Sequence, residues 1–162
     1  MKTLIVIRHA KSDWDAPFGD FERPLLQRGV RDANLVAQKA ALGIPKNAVI
    51  WSSSAKRASQ TARIFAAVFS HPESKIIFKQ DLYTFDGSTL EKIIKSCDNA
   101  VDCLIVFGHN EAITDFVNKF GDIFIDNVTT SGFVTLTFET DEWKKIGNGK
   151  TSKIIFPRDL RP

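Results

Sequence analysis

Cysteine is scarce in this chain: only Cys97 and Cys103 occur among its 162 residues. One ends a helix-like run, the other lies inside an apolar run, and neither belongs to a paired motif. Two isolated thiols argue against a disulfide framework and predict a reducing, cytoplasmic setting. Long hydrophobic runs are missing too. The first apolar stretch, Leu4 to Ile7, is too short for a signal peptide or a membrane span, so no membrane partner is expected. Nor is there a strong excess of one charge, since 22 Lys and Arg face 19 Asp and Glu. The one loose basic cluster, KKIGNGKTSK at 144–153, reads as an exposed turn from its Gly and Asn content. Nucleic acid is therefore not an expected partner. Repeats, low-complexity tracts and linkers are absent, and residues 1–162 read as a single domain, able to bury roughly 70% of its extended surface. Metal motifs such as HExxH or an EF-hand loop are also lacking, so no metal and no cofactor is expected.

What is present is an alternation. Strand-like runs occupy 3–9, 48–53, 75–79, 102–108, 133–139 and 153–157, several of them solidly apolar. Helix-like runs fall between them. From Pro24 to Leu42, Val30, Ala33, Ala37 and Ala40 keep helical spacing before Gly43. Ala58, Ala62, Phe65 and Phe69 form a second stripe, TLEKIIKSC at 89–97 a shorter helix capped by Ser88 or Thr89. Ile113, Phe116, Val117 and Phe120 form a last stripe, which stops at Gly121. Alternating strands and helices predict an α/β fold: a three-layer αβα sandwich whose central sheet is mostly parallel. The last two strands have no helix between them, so an antiparallel edge is expected.

In such sheets ligands sit beyond the carboxyl ends of the strands. The first strand ends in Arg8-His9, the second runs into SSSAKRASQTA with Arg57 at a helix start, and the fourth ends in Gly108-His109. Two arginines, two histidines and two helix N-termini on one rim make an anion site by charge, donor geometry and dipole. Each residue alone has a bland alternative, a surface ion pair or a satisfied strand-end histidine. Four such accidents on one sheet edge do not.

These residues, with RHAKSDW, RPLLQRG, SSSAKRASQTA, LYTFDGSTL, VFGHNEAI and FPRDL, make the chain resemble the histidine phosphatase superfamily, which includes the phosphoglycerate mutase-like enzymes. The small SixA-type phosphohistidine phosphatases are the nearest likeness. The motifs run in the family's order from residue 8 to residue 160. The resemblance implies a phosphoglycerate mutase-like fold and a metal-independent phosphatase. His9 corresponds to the nucleophile that carries a phosphohistidine intermediate, Arg8 and Arg57 to the phosphate clamp, and His109 to a protonated donor. Ser12 fits a family serine near the phosphate, with a plain turn serine an equal reading.

Two departures narrow the expectation. Asp15 stands where mutase-like relatives carry Asn, and Tyr83-Thr84 stand where they place a general-acid Glu. Asp81 and Asp86 are nearby but read as a turn residue and a loop cap. An alkoxide leaving group needs a proton donor, whereas an imidazole of pKa ~6.5 can leave already protonated. The expected substrate is therefore phosphohistidine on a protein. A small phosphorylated metabolite, or phosphate recognition without turnover, are the competing readings. Trp14, Phe18 and Phe21, after the first motif, are expected to close over the core, with lining the rim and contacting a partner as the competing reading.

Overall fold

The computed structural model describes residues 1–162. Six strands form one sheet: β1 (Lys2–Arg8), β2 (Val49–Ser53), β3 (Ile77–Lys79), β4 (Cys103–Gly108), β5 (Phe133–Phe138) and β6 (Lys150–Ile155). Four helices lie between them: α1 (Gln27–Ala40), α2 (Lys56–Val68), α3 (Gly87–Lys95) and α4 (Ala112–Phe120). The strand order is β3-β2-β4-β1-β5-β6. The first four strands pair in parallel, while β5 and β6 run antiparallel and form the expected antiparallel side.

Strand periodicity explains the layering. Leu4 and Val6 of β1 point into the core shared with α3 and α4, packed with Leu90, Ile94, Ile113 and Phe116. Ile5 and Ile7 point the other way, onto Ala33, Val36, Ala37 and Phe65 of α1 and α2. A strand covered on both faces must be apolar at every position, which is why β1 and β4 read as continuous Leu, Ile and Val.

Several expectations shift by a few residues. In α1 the buried stripe is Ala33, Val36, Ala37 and Ala40, whereas Val30 faces water. The first turn of that helix lies over the loop after β1, so Gly29 rather than Val30 makes the inward contact. The cap of α3 is Asp86, whose carboxylate accepts the Thr89 amide, in place of Ser88 or Thr89. Strand β6 begins at Lys150, three residues before the expected start at 153, because pairing with β5 extends over Lys150 and Thr151. Trp14 and Phe18 do not close over the core. They are 78% and 56% exposed, respectively.

Candidate active site

Register delivers the first two groups. Arg8 pairs with Gly108 across the parallel β1–β4 ladder, and the His9 amide donates to the Gly108 carbonyl at 3.1 Å. The next residue on each strand is a histidine, so His9 and His109 face one another with ring centroids 5.2 Å apart. On the other side of β4, Ser52 pairs with Phe107, which sets Ser53 beside the end of β4. The start of α2 supplies Arg57. All four sequence-predicted groups, with Ser12, line one open cleft of about 740 Å³.

His9 is buried, and its Nδ1 lies 2.7 Å from its neighbour's carbonyl, Ala10 O. A carbonyl only accepts, so Nδ1 carries the proton and Nε2 presents its lone pair. Burial, followed by the nearby His109, Arg57 and Arg8, holds this imidazole well below its ordinary pKa, against the opposing Ala10 hydrogen bond. The ring is neutral at pH 7. Its Nε2 accepts from Arg57 Nε at 3.3 Å. Thr61 braces the arrangement, accepting the Ala10 amide and donating to the Arg57 carbonyl.

His109 is also neutral among these protein groups, so the expected protonated donor would form only with an oxyanion beside it. Burial, and then the charge on Arg57, push its pKa down to about 3. Ser53 Oγ accepts the Ala55 amide and lies 2.9 Å from His109 Nε2. Oγ keeps a second lone pair as well as its proton, so this contact suits either neutral tautomer of His109, and the ring's other nitrogen is Nδ1. That atom is buried without a partner, as are Arg8 Nε and the hydroxyl oxygens of Thr129 and Ser131. Unmet polar groups of this kind, gathered at one strand edge, mark a place where a ligand supplies the partners.

Sequence reasoning missed the other half of the site. Arg23 is buried and donates to Ser12 Oγ, so Ser12 reaches the cleft as a support for Arg23. Arg23 also pairs with Asp20 at 2.9 Å and carries the Trp14 ring at 3.6 Å. The Asp20 carboxylate receives Arg57 Nη2 at 3.0 Å and the Tyr83 hydroxyl, while Arg57 Nη1 donates to the Asp20 carbonyl at 2.6 Å. Burial raises the Asp20 pKa, but the Arg23 and Tyr83 hydrogen bonds and the Arg57 charge outweigh it, holding the carboxyl well below the usual range. The sequence signals were the i,i+3 spacing of Asp20 and Arg23 within GDFERPLL and the motifs RPLLQRG and LYTFDGSTL, which hold Arg23 and Tyr83. Neither Asp81 nor Asp86 lines the cleft, and Asp86 is occupied at the start of α3. Asp15 does line it.

The sequence model of the histidine phosphatase superfamily (branch 1) matches residues 4–94, more than half of the chain. The chain belongs to that superfamily. An uncharacterized protein of Mycobacterium leprae (strain TN) is 30% identical over 112 residues, covering 67% of this chain and 66% of the relative. An uncharacterized chloroplastic protein of Arabidopsis thaliana is 34% identical over 121 residues, 68% and 55% of the two lengths. The matches thus span under two thirds of those relatives. Among solved structures, the protein histidine phosphatase SixA complexed with tungstate superposes with TM-score 0.81 at 21% identity, over 98% of this chain and 99% of that one. A phosphoserine phosphatase of Entamoeba histolytica in complex with 3-phosphoglyceric acid gives 0.67 at 16% identity, over 99% and 100%. These likenesses establish a shared phosphoglycerate mutase-like fold.

Proposed function

We propose that the protein is a phosphatase that hydrolyses phosphohistidine on a protein through a covalent phospho-His9 intermediate, with residues 1–162 acting as one catalytic domain. The observation that carries this reading is the state of His9. It is a neutral, buried imidazole with Nδ1–H tied to Ala10 and its Nε2 lone pair met only by the Arg57 Nε–H at 3.3 Å, beside Arg8 and His109. A ring in that state attacks phosphorus without a separate base. Arg8, Arg57 and the Nδ1–H of His109 would hold the phosphoryl oxygens, so that positioning and charge neutralisation supply most of the catalysis.

The leaving group follows from the acids at hand. Asp20, which Arg57 joins to His9, is held ionised, and a carboxylate in that state cannot protonate an alkoxide. Transfer from phosphohistidine asks for no such proton. The P–N bond of the substrate breaks, its electron pair returns to the substrate ring, and a P–N bond to His9 Nε2 forms. The bonds broken and made are of one kind. Water then attacks phosphorus, the pair of the P–Nε2 bond returns to His9, and phosphate leaves. The resemblance to SixA proteins supports the same substrate class.

The test is phosphate release from a histidine-phosphorylated protein and from an aryl phosphate, by wild type and His9→Ala. The wild type is expected to release phosphate from the first and to be trapped as an acid-labile, alkali-stable phosphoenzyme, and the variant to do neither. A variant that retains wild-type rates removes His9 as nucleophile, and turnover of the aryl ester alone removes the phosphohistidine assignment.

A further inference from the structure

The site contains an anion of its own. Every nitrogen of the Arg57 guanidinium is engaged: Nε with His9 Nε2, Nη1 with the Asp20 carbonyl and Nη2 with the Asp20 carboxylate. Three of its five N–H donors are thus taken, leaving one on each Nη for a phosphoryl oxygen while Asp20 stays on it. A carboxylate there also repels an incoming phosphate, so its placement costs affinity for any simple phosphate ester. A purely structural anchor for Arg57 would need no charge, since the backbone carbonyl of Asp20 already receives Nη1. Arg23 and Tyr83 hold the carboxylate independently of Arg57. It therefore keeps its place when Arg57 turns to another partner. The wall beside it is aromatic: Phe85 lines the cleft, and Tyr83 and Phe85 lie 5.6 Å apart and each within 5.5 Å of His109.

A fixed carboxylate next to exposed aromatic surface suits a flat cation. N-phosphorylated imidazole becomes one when its second nitrogen is protonated, and that is the form in which the ring departs as neutral imidazole. We propose that Asp20 selects phosphorylated imidazole over phosphate esters, by accepting the N–H of the substrate's protonated ring while the phosphoryl group takes its place on Arg57. The proposal rests on the phosphohistidine reading above and assigns its specificity to one side chain. In the transfer step the substrate enters as an imidazolium bearing the phosphoryl group and His9 as a neutral ring. The P–N electron pair goes to the substrate nitrogen, which leaves neutral with its far N–H on Asp20. His9 becomes the phosphorylated imidazolium, its Nδ1–H still on Ala10, so charge and protons balance. A phosphate ester of serine or a sugar has no N–H to offer and meets only the repulsion.

The experiment is Asp20→Asn, which keeps the backbone carbonyl on Arg57, assayed on a histidine-phosphorylated protein and on p-nitrophenyl phosphate across pH 5–9. On the phosphoprotein, kcat is expected to fall more than tenfold at pH 8. The alkaline limb should also move to lower pH, because the substrate ring loses the partner that keeps it protonated. On the aryl ester, kcat/KM is expected to rise several-fold as the competing anion leaves Arg57. Opposite responses of the two substrates are the signature. Equal losses on both, or no change on either, overturn the proposal, because Asp20 is then only a prop for Arg57. Phosphoenzyme trapping of the wild type separates the two levels. Wild type that forms no phospho-His9 from the phosphoprotein defeats the functional reading itself. Trapping that proceeds equally well in the variant defeats the role of Asp20 alone.

Discussion

A histidine is useful in this site only when the correct ring nitrogen is free, and two neighbours bear on that for the pair. Ala10 O fixes His9 as the Nδ1–H form, and the proposed function asks His109 to carry Nδ1–H too, with Ser53 Oγ then donating to Nε2. Removing the Ser53 hydroxyl releases His109 Nε2 to carry the proton, and the Nδ1 donor is lost in a share of molecules. Ser53→Ala is therefore expected to lower kcat by roughly tenfold, the worth of about one hydrogen bond to developing charge, with KM changed far less. Nitrogen chemical shifts of His109 check the cause. A variant with the wild-type tautomer and a reduced kcat would mean that Ser53 acts otherwise. The residues that were legible in the sequence, Arg8, His9, Arg57 and His109, share one property: each has a chemical type that is conspicuous at a strand end or a helix start. Asp20, Arg23, Ser53 and Tyr83 work by pairing with those groups, and pairing depends on loop paths and register that the order of residues does not display.

At the level of elements, the alternation of strands and helices was readable because period-2 and period-3.6 apolar patterns are local. Register was not, and register is what sets His9 against His109. The loop after β1 illustrates a second hidden constraint. Its Lys11 carbonyl receives the Leu26 amide at 2.9 Å, and α1 passes so near that a Cβ on Gly29 would sit 2.2 Å from that oxygen. Helix propensity alone favours Ala over Gly by ~1 kcal/mol. Gly29→Ala is nonetheless expected to destabilise the fold by more than ~1 kcal/mol, because a backbone oxygen rather than a flexible side chain must move. It should also lower activity, since Lys11 and Ser12 carry the cleft wall and the support for Arg23. Denaturant midpoints and kcat measured together check both signs, and a midpoint above wild type would show that α1 can move away freely. The exposed Trp14 belongs to this scale as well. Its ring lies on Arg23, an aromatic partner supplied by a site that composition treats as core.

For the whole molecule, the site is a store of folding free energy spent in advance on binding. No helix is long and apolar enough to cross a membrane, and the apolar cores lie on the two faces of the sheet, so the polar groups buried at the strand ends are the costly part. The cost has a pH signature. His109 titrates near 6.5 when unfolded and at about 3 when folded. Between those values the unfolded chain binds the extra proton, so stability rises with pH through that window and falls as the solution is acidified. From neutral pH down to pH 5, this one ring removes about 2 kcal/mol, or roughly 4 to 8 °C in Tm for a chain of this size. The loss due to Asp20 has the same sign but a separate range. A carboxyl held below its unfolded value of ~3.9 loses its contribution only under about pH 4. His109→Gln is thus expected to lessen the fall in Tm between pH 7 and 5 while leaving the share due to His9, also held well below its ordinary pKa, and the steep fall below pH 4. A ligand anion should act oppositely, since an oxyanion beside His109 favours the protonated ring, so tungstate is expected to stabilise the wild type more at pH 5 than at pH 8. Thermal melts over both ranges test the account, and a wild-type profile that is flat from pH 7 to pH 5 would show that His109 takes up its proton in the folded protein after all.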